Sequence, residues 1–115
     1  MNIIVCVKRV PDPEAPASLY RVDEAGQRFV PARSVPLLTS TYDESALEAA
    51  LQLKDQHGGS VTLLSLNAED VSEWMQETLA TGADEAVLVQ DPALAGGDSF
   101  AAAAVLAAMM FGIVA

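Results

Sequence analysis

The sequence predicts an α/β protein, a three-layer sandwich built on a mainly parallel sheet. Three observations carry that reading. Compact apolar runs rich in β-branched residues recur at Ile3 to Val7, Val61 to Leu66 and Ala86 to Val89. Segments with helical spacing of apolar residues fill the gaps between them. Glycine and proline punctuate the joins. Strands that alternate with helices imply parallel pairing through right-handed crossovers.

Taken in order, Ile3 to Val7 reads as a buried strand. Pro11, Pro13 and Pro16 end it and open a long connection. Inside the connection, Leu19 to Asp23 and Gln27 to Val30 flank Glu24-Ala25-Gly26, a small β-hairpin insertion over about residues 17–31 that lies outside the main sheet. Pro31 and Pro36 then hold the chain extended. The first helix begins near Thr41, where Thr41 and Glu44 spell a capping box. Ala46, Leu47, Ala50, Leu51 and Leu53 form its buried face, and Gly58-Gly59 stops it beside His57. After the second strand, Val61 to Leu66, Asn67 reads as an N-cap and Asp70 favours the helix start. Val71, Trp74, Met75, Thr78 and Leu79 fall at helical spacing, and Gly82 supplies a left-handed stop. The third strand, Ala86 to Val89, breaks at Asp91-Pro92. Gly96-Gly97 precede an alanine-rich third helix capped by Asp98 or Ser99 and carrying Phe100, Val105, Leu106, Met109 and Met110. Gly112-Ile113-Val114-Ala115 reads as the start of a fourth strand. Three strands leave one edge bare. Residues 1–115 therefore read as a single partial domain that is truncated or needs a partner, and self-association through that edge is expected.

Composition excludes several functions. A 115-residue chain that is 51% hydrophobic can bury one core and is too apolar for disorder. Its net charge of −10 argues against nucleic acid and anionic lipid. Every Lys and Arg lies at or before Lys54, whereas Glu69, Asp70, Glu73, Glu77, Asp84, Glu85, Asp91 and Asp98 follow. That half is a solvated acidic surface or a face for a basic partner. One cysteine and one histidine make neither a disulfide nor a Cys/His zinc site. The apolar start precedes its positive charges and reads as a strand rather than a signal peptide, so a cytoplasmic location is expected. The apolar stretch Phe100 to Ala115 is shorter than the ~20 residues of a membrane span, so no membrane insertion is expected.

No catalytic constellation stands out, and an enzyme is not expected. His57 reads as a helix cap, Cys6 as a core residue and Trp74 as core or interface. Asp12, Glu14, Asp43 and Glu44 lack metal-ligand spacing. Gly96-Gly97 match no phosphate-loop pattern. The fold itself still places a site. In open parallel sheets, ligands sit beyond the carboxyl ends of the strands, here Cys6 to Lys8, Leu66-Asn67 and Val89-Gln90. The N-terminus of the first helix, Ser40 to Asp43, points the same way. Its free N–H groups suit an anion or an adenine edge.

Four stretches line up with one family. They are Val5-Cys6-Val7-Lys8-Arg9-Val10-Pro11-Asp12, the helix from Tyr42-Asp43-Glu44-Ser45-Ala46-Leu47-Glu48 to Lys54, the strand Val61 to Leu66, and Thr78-Leu79-Ala80-Thr81-Gly82-Ala83-Asp84 running on to Val89. In order and spacing the sequence resembles the N-terminal part of an electron transfer flavoprotein β-subunit. The resemblance implies an adenine-nucleotide α-hydrolase-like sandwich and a subunit that binds AMP or FAD together with an α-subunit. It also implies relay of electrons from acyl-CoA or other dehydrogenases. It assigns nucleotide contacts to Cys6, to Ser40, Thr41, Tyr42 and Asp43, and to Leu66. Ser40-Thr41 stand where the family carries Asn-Pro. The family's next strand and phosphate loop have no counterpart here, so weak or absent nucleotide binding by this chain alone is expected. The alternatives are a universal-stress-type AMP/ATP-binding module, whose phosphate loop is missing here, and a non-catalytic accessory protein that has lost nucleotide binding.

Overall fold

The computed structural model describes residues 1–23, 28–32, 34–94 and 99–114. Its main sheet has three parallel strands in the order β1 (Asn2–Cys6), β6 (Ser60–Asn67), β7 (Glu85–Gln90). β6 is central, and Val61, Leu63 and Leu64 are fully buried, with Ser65 close to it. A strand covered on both faces reads as a continuous apolar run, which is why no alternation shows between Val61 and Leu66. β1 forms one edge of the sheet and β7 the other.

The strands are covered from both sides. Val5, Val7, Val61 and Leu63 pack with Leu47 and Ala50 of α1 (Thr41–His57) and with Met75 of α2 (Ser72–Leu79). Cys6, Leu64 and Leu66, on the opposite face, meet Ala102, Ala103 and Leu106 of α3 (Ser99–Val114). Crossovers that run the same way along a sheet put their helices on one face, and a helix on the other face completes the three layers.

Between β1 and α1 the chain makes two small antiparallel ribbons. The hairpin pairs β3 (Tyr20–Asp23) with β4 (Arg28–Pro31) as a sheet of its own; its tip, Glu24-Ala25-Gly26, lies outside the described residues. The second ribbon was not expected from sequence. β2 (Arg9–Pro11) pairs with β5 (Leu37–Thr39), with Val10 opposite Leu38. Each strand is three residues long and bounded by proline, too short for any periodicity to show. The ribbon closes the long connection on itself and delivers Ser40 beside the end of β1.

Several local expectations need correction. The N-cap of α1 is Ser40, not Thr41, and it caps without a side-chain hydrogen bond. The Thr41–Glu44 capping box therefore does not form. Of the expected α1 face, Leu47 and Ala50 are buried, but Ala46 and Leu53 are exposed. They face the groove beside Ile3 and Ile4 at the uncovered edge of β1. Asn67 belongs to β6, and its side chain bonds Ser65 Oγ. The residue ahead of α2 is Val71, and Asp70 holds the turn by accepting from the Ser72 N–H at 2.9 Å. α2 ends at Leu79, three residues before Gly82, which does take the expected positive φ, 132°. Residues 112–114 continue α3 and start no strand. The Gly96-Gly97 turn and Asp98 lie outside the described residues.

Candidate functional site

Three hydrogen bonds, two between main-chain groups and one to a side chain, build the end of β1. The Val7 N–H donates to Leu64 O at 2.9 Å and carries the strand pairing one residue past Cys6. The Lys8 carbonyl accepts from the Ser40 N–H at 3.0 Å, and the Lys8 N–H donates to Asp43 Oδ2 at 2.9 Å. The first turn of α1 is thereby tied to the strand terminus through both polar groups of one residue. In a parallel ladder successive residues bond to opposite sides. The pairing of Val7 toward β6 thus turns the main-chain groups of Cys6 toward the open edge.

A crevice of about 360 Å³ opens there, lined by Cys6, Val7, Lys8, Asp43, Leu64, Leu66 and three α3 residues. Its floor is apolar, since Leu64 and Leu66 sit two apart on one strand face and Ala102, Ala103 and Leu106 face them. Its rim is charged, with Lys8 exposed and Asp43 half-buried. Burial pushes the Cys6 thiol above its ordinary value, and the nearby Asp43 carboxylate pushes it the same way. The thiol therefore stays protonated at neutral pH and adds no charge to the crevice.

The structure gathers Cys6, Asp43 and Leu66 on this wall. It does not bring the other three expected site residues there. Ser40 is buried and acts through its main chain. Thr41 opens onto a surface hollow with Glu44 and Glu48. Tyr42 is 86% exposed. Lys8, named in the sequence only as part of the strand end, lines the crevice too, and so do Leu64 and the α3 residues, which the sequence does not single out as contacts. The signals were present: Lys8 follows the strand, Leu64 shares a face with Leu66, and Ala102 and Leu106 stand one helical turn apart. Among the described residues no group of three His, Cys, Asp or Glu side chains is placed to hold a metal. Nor, among the described residues, is any helix long and apolar enough to cross a membrane.

Comparison with known proteins gives a consistent picture. The sequence model for the electron transfer flavoprotein domain matches residues 30–111. Protein FixA of Azorhizobium caulinodans is 41% identical over 107 residues, which is 93% of this chain and 36% of that protein. The electron transfer flavoprotein subunit beta of Clostridium acetobutylicum is 40% identical over 108 residues, covering 94% of this chain and 40% of its own length. The caffeyl-CoA reductase-Etf complex subunit CarD of Acetobacterium woodii is 38% identical over 109 residues, with 94% and 40% covered. The chain thus spans between about a third and two fifths of the length of these relatives.

Proposed function

This chain belongs to the electron transfer flavoprotein domain family, and we propose that it serves as the adenosine-holding part of a β-type electron-transfer subunit. In this reading it binds AMP or FAD together with an α-subunit, and the assembly relays electrons from acyl-CoA or other dehydrogenases. The observation that carries the reading is the crevice where β1, β6 and the first turn of α1 meet. It lies beyond the carboxyl ends of parallel strands, where such sheets take their ligands.

The residues present fit the adenosine portion. The apolar floor of Leu64, Leu66, Ala102 and Ala103 suits a flat aromatic ring, and about 360 Å³ falls near the lower end of small-molecule sites. The Cys6 main chain offers a donor and an acceptor at the open edge. Asp43 offers an acceptor to a hydroxyl or an exocyclic amine, and Lys8 supplies a cation at the mouth. The fit stops at the phosphates. Among the described residues, Lys8 is the only cation lining the crevice, and Asp43 stands opposite it. A flavin, when bound, supplies the electron-carrying chemistry, and this chain binds and orients without a catalytic residue of its own.

The test is to purify the chain with and without a co-expressed family α-subunit, denature both and chromatograph the released small molecules. AMP or FAD released from the complex, and little from the chain alone, is the expected result. Leu66→Asp should abolish that nucleotide while the complex still forms, because it puts a carboxylate under the ring. A stoichiometric complex without nucleotide would sink the adenosine assignment. Failure to form any complex would leave the accessory-protein reading in its place.

A further inference from the structure

A second concavity shares no lining residue with the strand-end crevice. It is about 350 Å³ in volume and runs between α1 and α2. Leu47, Leu51 and Trp74 form its floor, and Glu44, Glu48 and Glu77 its rim. All three rim carboxylates are exposed, and among the described residues no Lys or Arg forms an ion pair with them. Glu48 only accepts a hydrogen bond from Gln52 one turn on. Arg9 lies over the Trp74 ring, 5.6 Å from its centre, in an adjoining hollow that Glu77 also lines, without pairing it. Lys54, farther along α1, is taken by Asp84.

We propose that this groove docks a basic amphipathic helix of a protein partner. An apolar floor between two helices takes the apolar stripe of a third. Carboxylates on both walls, none ion-paired to a described Lys or Arg, select the flanking charges of that helix as positive and speed its encounter. A half-buried tryptophan in the floor is the residue type that anchors such contacts. The groove is separate from the strand-end crevice, and the proposal stands without the nucleotide reading.

Trp74 is the only tryptophan, so its emission reports the groove directly. The probe is a synthetic amphipathic helix of leucine and lysine, titrated into the full chain at low and high salt. Saturable change of the Trp74 emission, weakened by salt, is expected. E44Q/E48Q/E77Q should weaken binding about tenfold, whereas E69Q/E85Q/D91N, which removes three carboxylates elsewhere, should leave it unchanged. All six sites are exposed, and circular dichroism checks that both triple variants fold. An unchanged emission overturns the proposal. So does equal weakening by both triple variants, which would reduce the effect to net charge. Equal binding of a leucine–glutamate helix, or displacement by spermidine, would overturn it as well.

Discussion

Asp84 shows how a single residue can carry a sequence motif without touching a ligand. It closes the Leu79-Ala80-Thr81-Gly82-Ala83-Asp84 turn and accepts from Lys54 Nζ at 2.9 Å and from the Val61 N–H at 2.8 Å. Its own N–H donates to Val61 O. One side chain thus joins the end of α1, the start of β6 and the entry to β7. The Lys54 ammonium, and next the Val61 amide, hold its carboxyl below the ordinary aspartate value of about 3.9. A depressed value in the folded state stabilises above the unfolded value and loses that contribution as pH falls through the folded one. Asp84→Asn should therefore lower Tm by a few degrees at pH 7. Its deficit against the parent should shrink as thermal melts are taken down below about pH 4. A deficit that stays constant with pH would show that the ion pair contributes nothing. Trp74 makes a comparable link near the start of α2. Its indole N–H donates to Thr39 Oγ1 at 2.8 Å, fastening the β2–β5 ribbon to α2.

At the scale of elements, the turn that ends α1 is the most constrained. The Gly58 N–H caps Lys54 O at φ 73°, and Gly59 follows at φ 111°. A Cβ on Gly58 would meet nothing, so Gly58→Ala should cost only the left-handed backbone, about 1–2 kcal/mol. A Cβ on Gly59 would stand 1.7 Å from Met1 O, which is also the acceptor for the Ser60 N–H that starts β6. Gly59→Ala must displace main chain, and about 2–4 kcal/mol of lost stability is expected by denaturant titration. Equal costs for the two variants would contradict the close approach. The ordering matters for function, because the pairing of β1 with β6 sets where Cys6 and Leu66 end. Asp43 is brought within reach of the Lys8 amide by the Ser40–Lys8 bond instead.

For the whole molecule, what counts is which surfaces are left uncovered. β1 is an edge strand with no charged residue from Asn2 to Cys6, and the groove beside it carries Ile3, Ile4, Ala46 and Leu53. α3 is apolar on its outer side as well, with Phe100 82% and Phe111 77% exposed. Bare edges and apolar faces of this kind pair with further chain. Concentration-dependent association of the isolated chain is expected in sedimentation velocity. Ile4→Lys, which puts a charge on the edge, should shift it toward monomer. A parent chain that stays monomeric at high concentration would show that the edge is protected in another way. The net charge of −10 opposes association, so added salt should promote it.

The amino-acid sequence by itself determined the three strands of the main sheet and their parallel sense, the three helices and the hairpin. Each is long enough for its apolar period or its turn residues to show. It also carried the family motifs, because Val-Lys-Arg-Val-Pro-Asp and the turn ending at Asp84 are local strings. The tertiary structure alone decided the β2–β5 ribbon, the choice of Ser40 over Thr41 as cap and the face of α1 that is buried. It also decided that Leu64 and α3, rather than Thr41 and Tyr42, line the crevice beside Lys8. The reason is physical. Three-residue strands have no measurable period, and a cap is chosen by the angle at which the chain enters the helix. Which side chains share a wall depends on register and on contacts between residues far apart in the chain, such as Lys8 with Asp43.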